Sequence, residues 1–510
     1  MITKVLSGAI QGIDGYRVTV EVDMVQGIPS FEVVGLPDSS IKESRERVRS
    51  ALNHSGHPFP IRKIIINLAP SNVRKEGSAF DLPIAVGILV QMKKIQPEQI
   101  EQIFFTGELS LDGHVKPVSG VLPMVHQGAK EGIRTFFVPK ENVKEASLIP
   151  DIEVVGIGHL EELVKHFNGE RIQETFHKYD TITVGKDIPQ LDFAEVKGQE
   201  SVIRALTIAA AGGHNILMIG PPGSGKTMMA KRLPSIMPDL TQEESIATTK
   251  IYSVSGQLKN TEALIKTRPF RTPHHTVSYA ALVGGGRHLK PGEISLAHNG
   301  ILFLDELPEF SRNALEVMRQ PLEDKVVHLS RATGSVVYPS DIVLVASMNP
   351  CPCGHYTTGK CTCSQGEIAK YLHKISGPLL DRIDIHIEVG ALEFEALSGG
   401  GAEAKGVSSH ELKQQVMTVK ERQRQRYGSD LQNSGLTAKD IDTHCDISDT
   451  GKGLLKQAFE QFGLSARAYH KILKLARTIA DLEGSVDIEL IHLTEAIQYR
   501  SLDRKYFSLV

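Results

Sequence analysis

The stretch NILMIGPPGSGKTMMAKRLP constrains the fold of this chain more than any other, because an apolar run, a glycine-rich loop and a helical pattern follow one another there. The apolar run spans residues 216–219, and the residues after it fit the pattern G-x-x-x-x-G-K-[ST]. These residues are Gly220, Pro221, Pro222, Gly223, Ser224, Gly225, Lys226 and Thr227. A strand, a loop and a helix in this order predict a phosphate-binding P-loop, and a chance glycine turn is the weaker alternative.

Each part of this loop has a chemical purpose. Glycines let backbone N–H groups close around phosphate oxygens, and the N-terminus of the following helix adds partial positive charge. Lys226 is expected to reach the β- and γ-phosphates of ATP, and the hydroxyl of Thr227 is expected to bind Mg²⁺. The sequence therefore predicts a site for ATP and Mg²⁺.

A second motif, GILFLDELPEF, ends an apolar run in Asp305 and Glu306. An acid at the tip of a buried strand can hold the water shell of Mg²⁺, so we assign that role to Asp305. Glu306 is then placed to orient and deprotonate the attacking water. Capping of the next helix by the two acids is the structural alternative.

Three further polar residues complete a predicted catalytic set. DIVLVASMNP ends another apolar strand at Asn349, which we expect to sense the γ-phosphate or the attacking water. Arg382, in ISGPLLDRIDI, can neutralise charge on the transferring phosphoryl group, as an arginine finger if a neighbouring subunit supplies it. Arg467 lies in the first turn of a helix that Ser465 caps, from which it can reach the nucleotide. Either arginine taken alone is more often a surface ion pair.

Four of the five cysteines lie in the short stretch NPCPCGHYTTGKCTC, at Cys351, Cys353, Cys361 and Cys363. Four thiolates in two close pairs can complete a tetrahedral Zn²⁺ site. Disulfides and a cysteine-rich loop without metal are the alternatives. We hypothesise a structural zinc knuckle that stiffens the connection from Asn349 to Arg382. So few cysteines argue against a secreted disulfide framework and favour a cytoplasmic protein.

The rest of the chain separates into blocks by composition. Residues 1–167 alternate short β-rich runs with helical patterns, and residues 168–193 read as a polar linker. Strands and helices alternate over 194–391, which predicts an α/β core with a parallel sheet. Glycines and small residues over 392–407 predict a flexible linker, and 408–510 has helical patterns throughout. No apolar run is long enough to predict a membrane span.

The five catalytic elements in this order resemble the core of an AAA+ ATPase. FRTPHHTVSYAALVGGG, MNPCPCG and ISGPLLDRIDI are similar to the magnesium-chelatase-like branch, and the whole layout resembles the ComM/YifB family of bacteria. The resemblance implies a homohexameric ring in which Arg382 acts on the neighbour's ATP. It also implies a DNA helicase or translocase that drives branch migration in natural transformation, with recombination proteins as further partners. A motor for a metal-chelatase-type or other protein-remodelling complex is the alternative.

The N-terminal block carries a second resemblance. GELSLDGHVKPVSGV and the preceding RKEGSAFDLPIAVGIL are similar to the Lon-type protease domain, which has a ribosomal S5-like α+β fold. That family uses a Ser–Lys dyad, and Ser78 falls near the nucleophile position while Leu122 takes the place of the lysine. Because leucine cannot accept a proton, we expect a non-proteolytic scaffold or a DNA-facing collar.

The resemblance also points to two inserts that would face the pore of the ring. One lies within residues 253–298 and includes the adjacent His274 and His275. The other is the predicted hairpin VVHLSRATGSVVYPS, whose candidate DNA contacts are His328, Arg331 and Tyr338. An ordinary hairpin with solvated polar tips is the alternative. The net charge of −3 neither favours nor excludes nucleic acid, since a ring can be basic locally.

Overall fold

The computed structural model describes most of the chain in two compact units. The described residues are 2–170, 175–176, 191–258, 264–286, 289–331, 334–356, 359–391, 406–462, 465–502 and 506–507. The first unit comprises Met1–Lys186 with Ser245–Ile265, and the second comprises Asp187–Glu244 with Lys266–Val510. Most of the predicted linkers at 168–193 and 392–407 lies outside the described residues.

A mixed sheet forms the centre of the first unit. Its strands are β1 (Thr3–Gln11), β2 (Asp14–Val25), β3 (Ser30–Val34), β4 (Lys63–Ala69), β5 (Ile103–Phe105), β8 (Thr135–Pro139), β9 (Glu153–Ile157) and β10 (Thr175–Phe176). Their spatial order is β10-β9-β8-β5-β1-β2-β4-β3. Buried and half-buried side chains alternate along β4. A separate short pair is β6 (Glu108–Leu109) with β7 (Val115–Lys116). Antiparallel pairing of β2 with both β1 and β4 makes the central meander, as its valine- and isoleucine-rich sequences favour.

Helices pack on this sheet and, with its strands, form the hydrophobic cores of the unit. They are α1 (Ser39–His54), α2 (Asp81–Gln91), α3 (Val121–Lys130), α4 (Val143–Ala146) and α5 (Leu160–Phe167). Helix α2 is buried along almost its whole length. It can approach β2 closely because Gly87 has no side chain: a Cβ there would lie 2.5 Å from Val22 Cγ2. This strand-rich unit with packed helices agrees with the predicted α+β fold.

The second unit is built on a parallel five-stranded sheet, in the order β12-β15-β18-β11-β19. Its strands are β11 (Ile216–Ile219), β12 (Phe270–Arg271), β15 (Gly300–Leu304), β18 (Ile342–Met348) and β19 (Ile385–Glu388). Two short hairpins accompany it, β13 (Gly284–Gly285) with β14 (Lys290–Pro291), and β16 (Val326–Arg331) with β17 (Gly334–Pro339). Since parallel strands end at one edge, the residues that follow β11, β15 and β18 come together.

Helices lie before, between and after these strands. Those before and between them are α6 (Glu200–Gly212), α7 (Lys226–Ala230), α8 (Leu233–Ile236), α9 (Gln242–Ser255), α10 (Tyr279–Val283), α11 (Glu293–Leu296), α12 (Arg312–Val317), α13 (Arg319–Asp324), α14 (Gln365–Leu372) and α15 (Gly377–Leu380). The part of α9 from Ser245 onward belongs to the first unit. The C-terminal helices are α16 (Ser409–Tyr427), α17 (Ala438–His444), α18 (Asp449–Phe462), α19 (Ala466–Glu483) and α20 (Leu490–Leu502). No helix within the described ranges is long and apolar enough to cross a membrane.

The C-terminal helices share one apolar core with the sheet. Side chains of α6, β11, α16 and α19 belong to the same buried cluster, so the helical region packs directly on the nucleotide-binding half of the unit. A buried carboxylate, Asp481, ties this region together. Its oxygens lie 2.9 Å from Arg426 Nη1, 3.1 Å from Arg477 Nη2 and 3.0 Å from Asn433 Nδ2.

Candidate nucleotide-binding site

The loop after β11 has the open backbone that the sequence predicts. Strand β11 is fully buried, and the loop leads into α7, which begins at Lys226. Gly223 and Gly225 have φ angles of 76° and 86°, a region that residues with a Cβ rarely adopt. A Cβ at Gly223 would meet nothing within 4 Å, so the loop leaves open space beside its backbone. This cradle fits the phosphates of a nucleotide.

The amine of Lys226 is buried in this loop and faces oxygen acceptors. Its Nζ donates to the carbonyls of Gly220 at 2.7 Å and Pro221 at 2.8 Å, and lies 3.4 Å from Ser224 Oγ. Asn349 Oδ1 is also 3.4 Å away, so the structure brings the predicted sensor to the predicted phosphate ligand. Burial lowers the pKa of Lys226, while the nearby Asp305 and Glu306 oppose that shift.

Three oxygen-bearing side chains meet at the end of β15. The hydroxyl of Thr227 donates to Asp305 Oδ2 at 2.7 Å, and the hydroxyl of Ser347 donates to Asp305 Oδ1. Hydroxyl and carboxylate oxygens are the ligands that Mg²⁺ prefers, so this set fits the ion. When bound there, Mg²⁺ would neutralise phosphate charge. Ser347 was missed from the sequence, although it stands two residues before Asn349 on the strand that neighbours β15.

Glu306 has an unusual backbone and an unexpected neighbour. Its φ and ψ are 55° and 49°, a left-handed conformation that costs a residue with a Cβ about 1–3 kcal/mol. Such outliers cluster at active sites, which agrees with the assigned role. The Glu306 carboxylate lies 3.5 Å from His275 Nδ1. The sequence predicts His275 within a pore insert, and the structure shows in addition that its side chain lies beside the candidate general base.

The two predicted arginines are brought to each other, not to the P-loop of their own chain. Arg382 Nε donates to the carbonyl of Arg319 at 2.9 Å, Nη1 donates to the carbonyl of Pro378 at 2.7 Å, and Nη2 pairs with Glu323. Arg467 Nη2 lies 3.9 Å from the same Glu323 carboxylate. Within the described residues, neither guanidinium hydrogen bonds to the P-loop.

The predicted hairpin forms, but one of its candidate DNA contacts is buried. His328 and Arg331 are exposed. Tyr338 is only 1% exposed, and its hydroxyl donates to the carbonyl of Leu289 at 2.9 Å. Tyr338 pairs across the hairpin with the buried Val327, so it belongs to the packed face. The structure therefore does not support Tyr338 as a surface contact for DNA. The sequence predicts the turn of this hairpin at Thr333 and Gly334, and Thr333 lies outside the described residues.

The four clustered cysteines converge on one point. Their sulfurs all lie within 4.8 Å of one another, and all are free thiols. Cys351 Sγ lies 3.3 Å from Cys353 Sγ and 3.7 Å from Cys361 Sγ, while Cys353 and Cys361 are 3.6 Å apart. Tetrahedral Zn–S bonds of about 2.3 Å place sulfurs roughly 3.8 Å apart, so the arrangement suits a zinc ion.

The protease-like position in the first unit has no catalytic dyad in the described residues. Ser78 Oγ donates to the Glu108 carboxylate, and Leu122 is fully buried in α3. The amine of Lys75 is buried and has no hydrogen-bond partner, so it does not activate Ser78 either. The Glu108 carboxylate is a weak base whose negative charge disfavours a serine alkoxide, so this pair does not reproduce a Ser–Lys dyad.

Comparison with known sequences agrees with this geometry. The profile described as magnesium chelatase, subunit ChlI, matches residues 192–397, and its C-terminal counterpart matches 406–500. A third profile, subunit ChlI of Mg-chelatase, matches 20–142. The competence protein ComM of Haemophilus influenzae is 43% identical over 504 residues, which cover 98% of this chain and 97% of that protein. This chain belongs to the ComM/YifB family. Escherichia coli YifB is 41% identical over 499 residues, 97% of this chain and 96% of YifB.

Membership of this family confirms several predictions. The chain is a magnesium-chelatase-like AAA+ protein with an α/β core and a helical C-terminal region. Its N-terminal part resembles Lon protease: the Mycoplasmopsis agalactiae enzyme is 25% identical over 181 residues, 33% of this chain and 18% of that protein. The AAA+ assignment implies ATP and Mg²⁺, which the P-loop and the Thr227–Asp305 pair fit.

Proposed function

We propose that this protein is an ATP-dependent DNA helicase or translocase that acts as a homohexameric ring. It would promote branch migration of DNA during homologous recombination in natural transformation. One observation supports the proposed ATP hydrolysis: the side chains of four residues lie together at one edge of the parallel sheet. These residues are Lys226, Thr227, Asp305 and Glu306. The proposed action on DNA is supported by similarity to a competence protein along nearly the whole chain.

In this proposal each residue of the site has one task in hydrolysis. Lys226 binds phosphate oxygens of ATP. Thr227 and Asp305 would hold the Mg²⁺ ion that accompanies the nucleotide. Glu306 accepts a proton from water as the water oxygen attacks the γ-phosphorus, the bond to the bridging oxygen breaks, and ADP leaves. Asn349 holds the attacking water or the γ-phosphate beside Lys226.

The proposal of a ring is supported by the hydrogen bonds of Arg382, which go to residues outside its own P-loop. Arg382 is anchored by two backbone carbonyls and by Glu323, which also pairs with Arg467. A guanidinium held in this way is pre-organised for a nucleotide presented from outside the subunit. We assign Arg382 to the ATP of the neighbouring subunit, and Arg467 to the same catalytic interface.

DNA is proposed to contact the exposed face of the β16–β17 hairpin. His328 and Arg331 present a polar and a cationic side chain to solvent on this element. Arginine and histidine side chains bind phosphate oxygens, and such contacts position a protein on DNA without reading its sequence. In this arrangement Tyr338 supports the hairpin from its packed face. Recombination proteins are proposed as further partners, and the cytoplasm as the location.

We further propose that Cys351, Cys353, Cys361 and Cys363 hold a structural zinc ion. The mutual distances of their sulfurs carry this assignment. With four thiolates, such a site has no open coordination position for water, so it would stabilise structure and not take part in hydrolysis.

A second candidate function rests on the profile matches. The ATPase core and C-terminal region both match profiles that are named after a magnesium chelatase subunit. This favours, as the alternative, a motor for a metal-chelatase-type or other protein-remodelling complex. Such a motor would hydrolyse ATP with the same residues but would not respond to DNA.

The two candidates are separated by the ATPase rate with and without DNA. We expect stimulation by single-stranded, double-stranded or four-way-junction DNA, together with a shift of that DNA on a native gel. The Lys226→Ala variant controls for contaminating ATPases. A basal ATPase that no DNA stimulates, with no DNA shift, would exclude the DNA motor and leave the remodelling motor.

A further inference from the structure

The cysteine cluster lies directly against the P-loop. Gly354 follows Cys353 and has a φ angle of 82°. A Cβ built on Gly354 would lie 2.4 Å from Cδ and 2.8 Å from Cγ of Pro222. The ring of Pro222, in the middle of the P-loop, therefore packs on the bare backbone of Gly354, with no room for a side chain between them.

The segment that leads from β18 into the cluster makes two more contacts with the same loop. The N–H of Gly220 donates to the carbonyl of Met348 at 3.1 Å. The side chain of Asn349 lies 3.4 Å from the Lys226 amine. Residues 348–354 therefore contact the P-loop at three residues, Gly220, Pro222 and Lys226. The same segment carries two of the four clustered cysteines.

A backbone hydrogen bond fixes the turn that carries the first two cysteines. The N–H of Gly354 donates to the carbonyl of Cys351 at 3.0 Å, which closes the turn that faces Pro222.

From these contacts we infer that zinc held by the four cysteines braces the P-loop, so that the affinity for nucleotide depends on zinc. The inference rests on the zinc site proposed above and adds a role for it. Zinc joins Cys361 and Cys363 to the Cys351–Gly354 turn and holds that turn against Pro222. A P-loop that keeps its shape before binding loses less conformational entropy when the nucleotide arrives. The knuckle therefore acts on the P-loop itself, in addition to the Asn349–Arg382 connection.

The first test removes zinc from the unaltered protein. The full chain is purified without chelator, its zinc is measured by mass spectrometry, and its affinity for a fluorescent ATP analogue is measured with Mg²⁺ present. A zinc-selective chelator should weaken binding about tenfold, as expected when roughly one backbone residue must be re-ordered, and zinc chloride should restore it. Protein purified without zinc, and unable to take it up, would overturn both the site and the inference.

The second test uses variants that separate the metal from the contact. The double variant Cys361→Ser with Cys363→Ser should lose zinc and bind the analogue about tenfold more weakly. Gly354→Ala should keep zinc and also bind more weakly, because its Cβ displaces Pro222. Cys445→Ala, the cysteine outside the cluster, should change neither quantity. Zinc-free protein that binds the analogue as tightly as wild type would overturn the brace while the zinc site stands.

Discussion

The hydroxyl of Thr227 donates a hydrogen bond of 2.7 Å to the carboxylate of Asp305, although the two residues are 78 positions apart. Thr227 follows β11 and Asp305 follows β15, and β18 lies between these strands in the sheet. The hydroxyl of Ser347, on β18, reaches the other oxygen of the same carboxylate. Asp305 is thus held from two sides before any nucleotide binds, which leaves Glu306 next to it in a defined position.

Replacement of Lys226 by alanine should remove tight nucleotide binding. The amine is the buried cation of the P-loop, and a hydrogen bond to a charged group contributes about 1.5–3 kcal/mol. Since Lys226 is expected to contact more than one phosphate oxygen, Lys226→Ala should weaken affinity by about 100-fold or more. Titration with a fluorescent ATP analogue measures this. Lys231→Ala, an exposed lysine just after α7, is the matched control and should bind normally.

Glu306→Gln should bind ATP but hydrolyse it very slowly. Glutamine keeps the shape and a polar tip, yet it cannot accept the proton of the attacking water. The loss in turnover is expected to be about 10²–10⁴-fold, the usual contribution of a general base. Binding and hydrolysis are measured on the same preparation, with Glu309→Gln as the exposed control. Turnover close to that of wild type would rule out Glu306 as the base.

His275→Ala should lower turnover without changing ATP affinity. Its Nδ1 restrains the Glu306 carboxylate at 3.5 Å, and a base that is free to move spends less time in reach of the water. We expect about a tenfold fall in kcat with KM unchanged. Asparagine places an amide near the position of Nδ1, so His275→Asn should recover part of the rate. His274→Ala is the neighbouring control, and an equal loss there would point to a general disturbance.

Arg382→Ala should abolish most hydrolysis and regain it in mixed rings. An arginine finger contributes about 10³-fold or more to kcat. In rings mixed with Lys226→Ala subunits, the intact Arg382 of those subunits would serve the ATP of their Arg382→Ala neighbours. The ATPase rate across mixing ratios measures this, with the exposed Arg312→Ala as control. If no ratio restores activity, Arg382 does not act in trans.

Asp481→Ala should destabilise the second unit strongly. It removes the carboxylate that faces Arg426, Arg477 and Asn433, and leaves a buried guanidinium without its charge partner. Breaking a buried ion pair from one side costs about 3–5 kcal/mol. Differential scanning calorimetry of the full chain should show a lower transition temperature. Asp449→Ala removes a fully exposed partner of Lys452 and should leave the transition almost unchanged.

Much of the candidate site was predictable because its motifs are contiguous. Residues 220–227 carry their own strand, loop and helix, and an acid after an apolar run predicts Asp305 and Glu306 without reference to any other segment. Asn349 was predicted for the same reason. The assignments of Glu306 and Arg382 to catalysis remain predictions that the experiments above test. Those of Arg467 to catalysis, and of His328 and Arg331 to DNA, also remain predictions.

Local sequence patterns did not reveal which residues from distant segments of the chain contact one another. His275 follows β12 and meets Glu306 only because β12 and β15 are neighbours in the sheet. Tyr338 was misassigned to the surface, although its register opposite Val327 puts it on the packed face. The alternation of buried Val327 and Leu329 was a usable signal for that register.

The sequence by itself determined which chemical groups this protein carries: a P-loop, a carboxylate pair and four clustered cysteines. These are properties of residue type and short spacing, which the chain carries whatever its fold. Only the tertiary structure decided which groups act together, since strand order and packing bring distant residues within hydrogen-bond reach. It placed His275 on Glu306, Glu323 between Arg382 and Arg467, and Gly354 against Pro222.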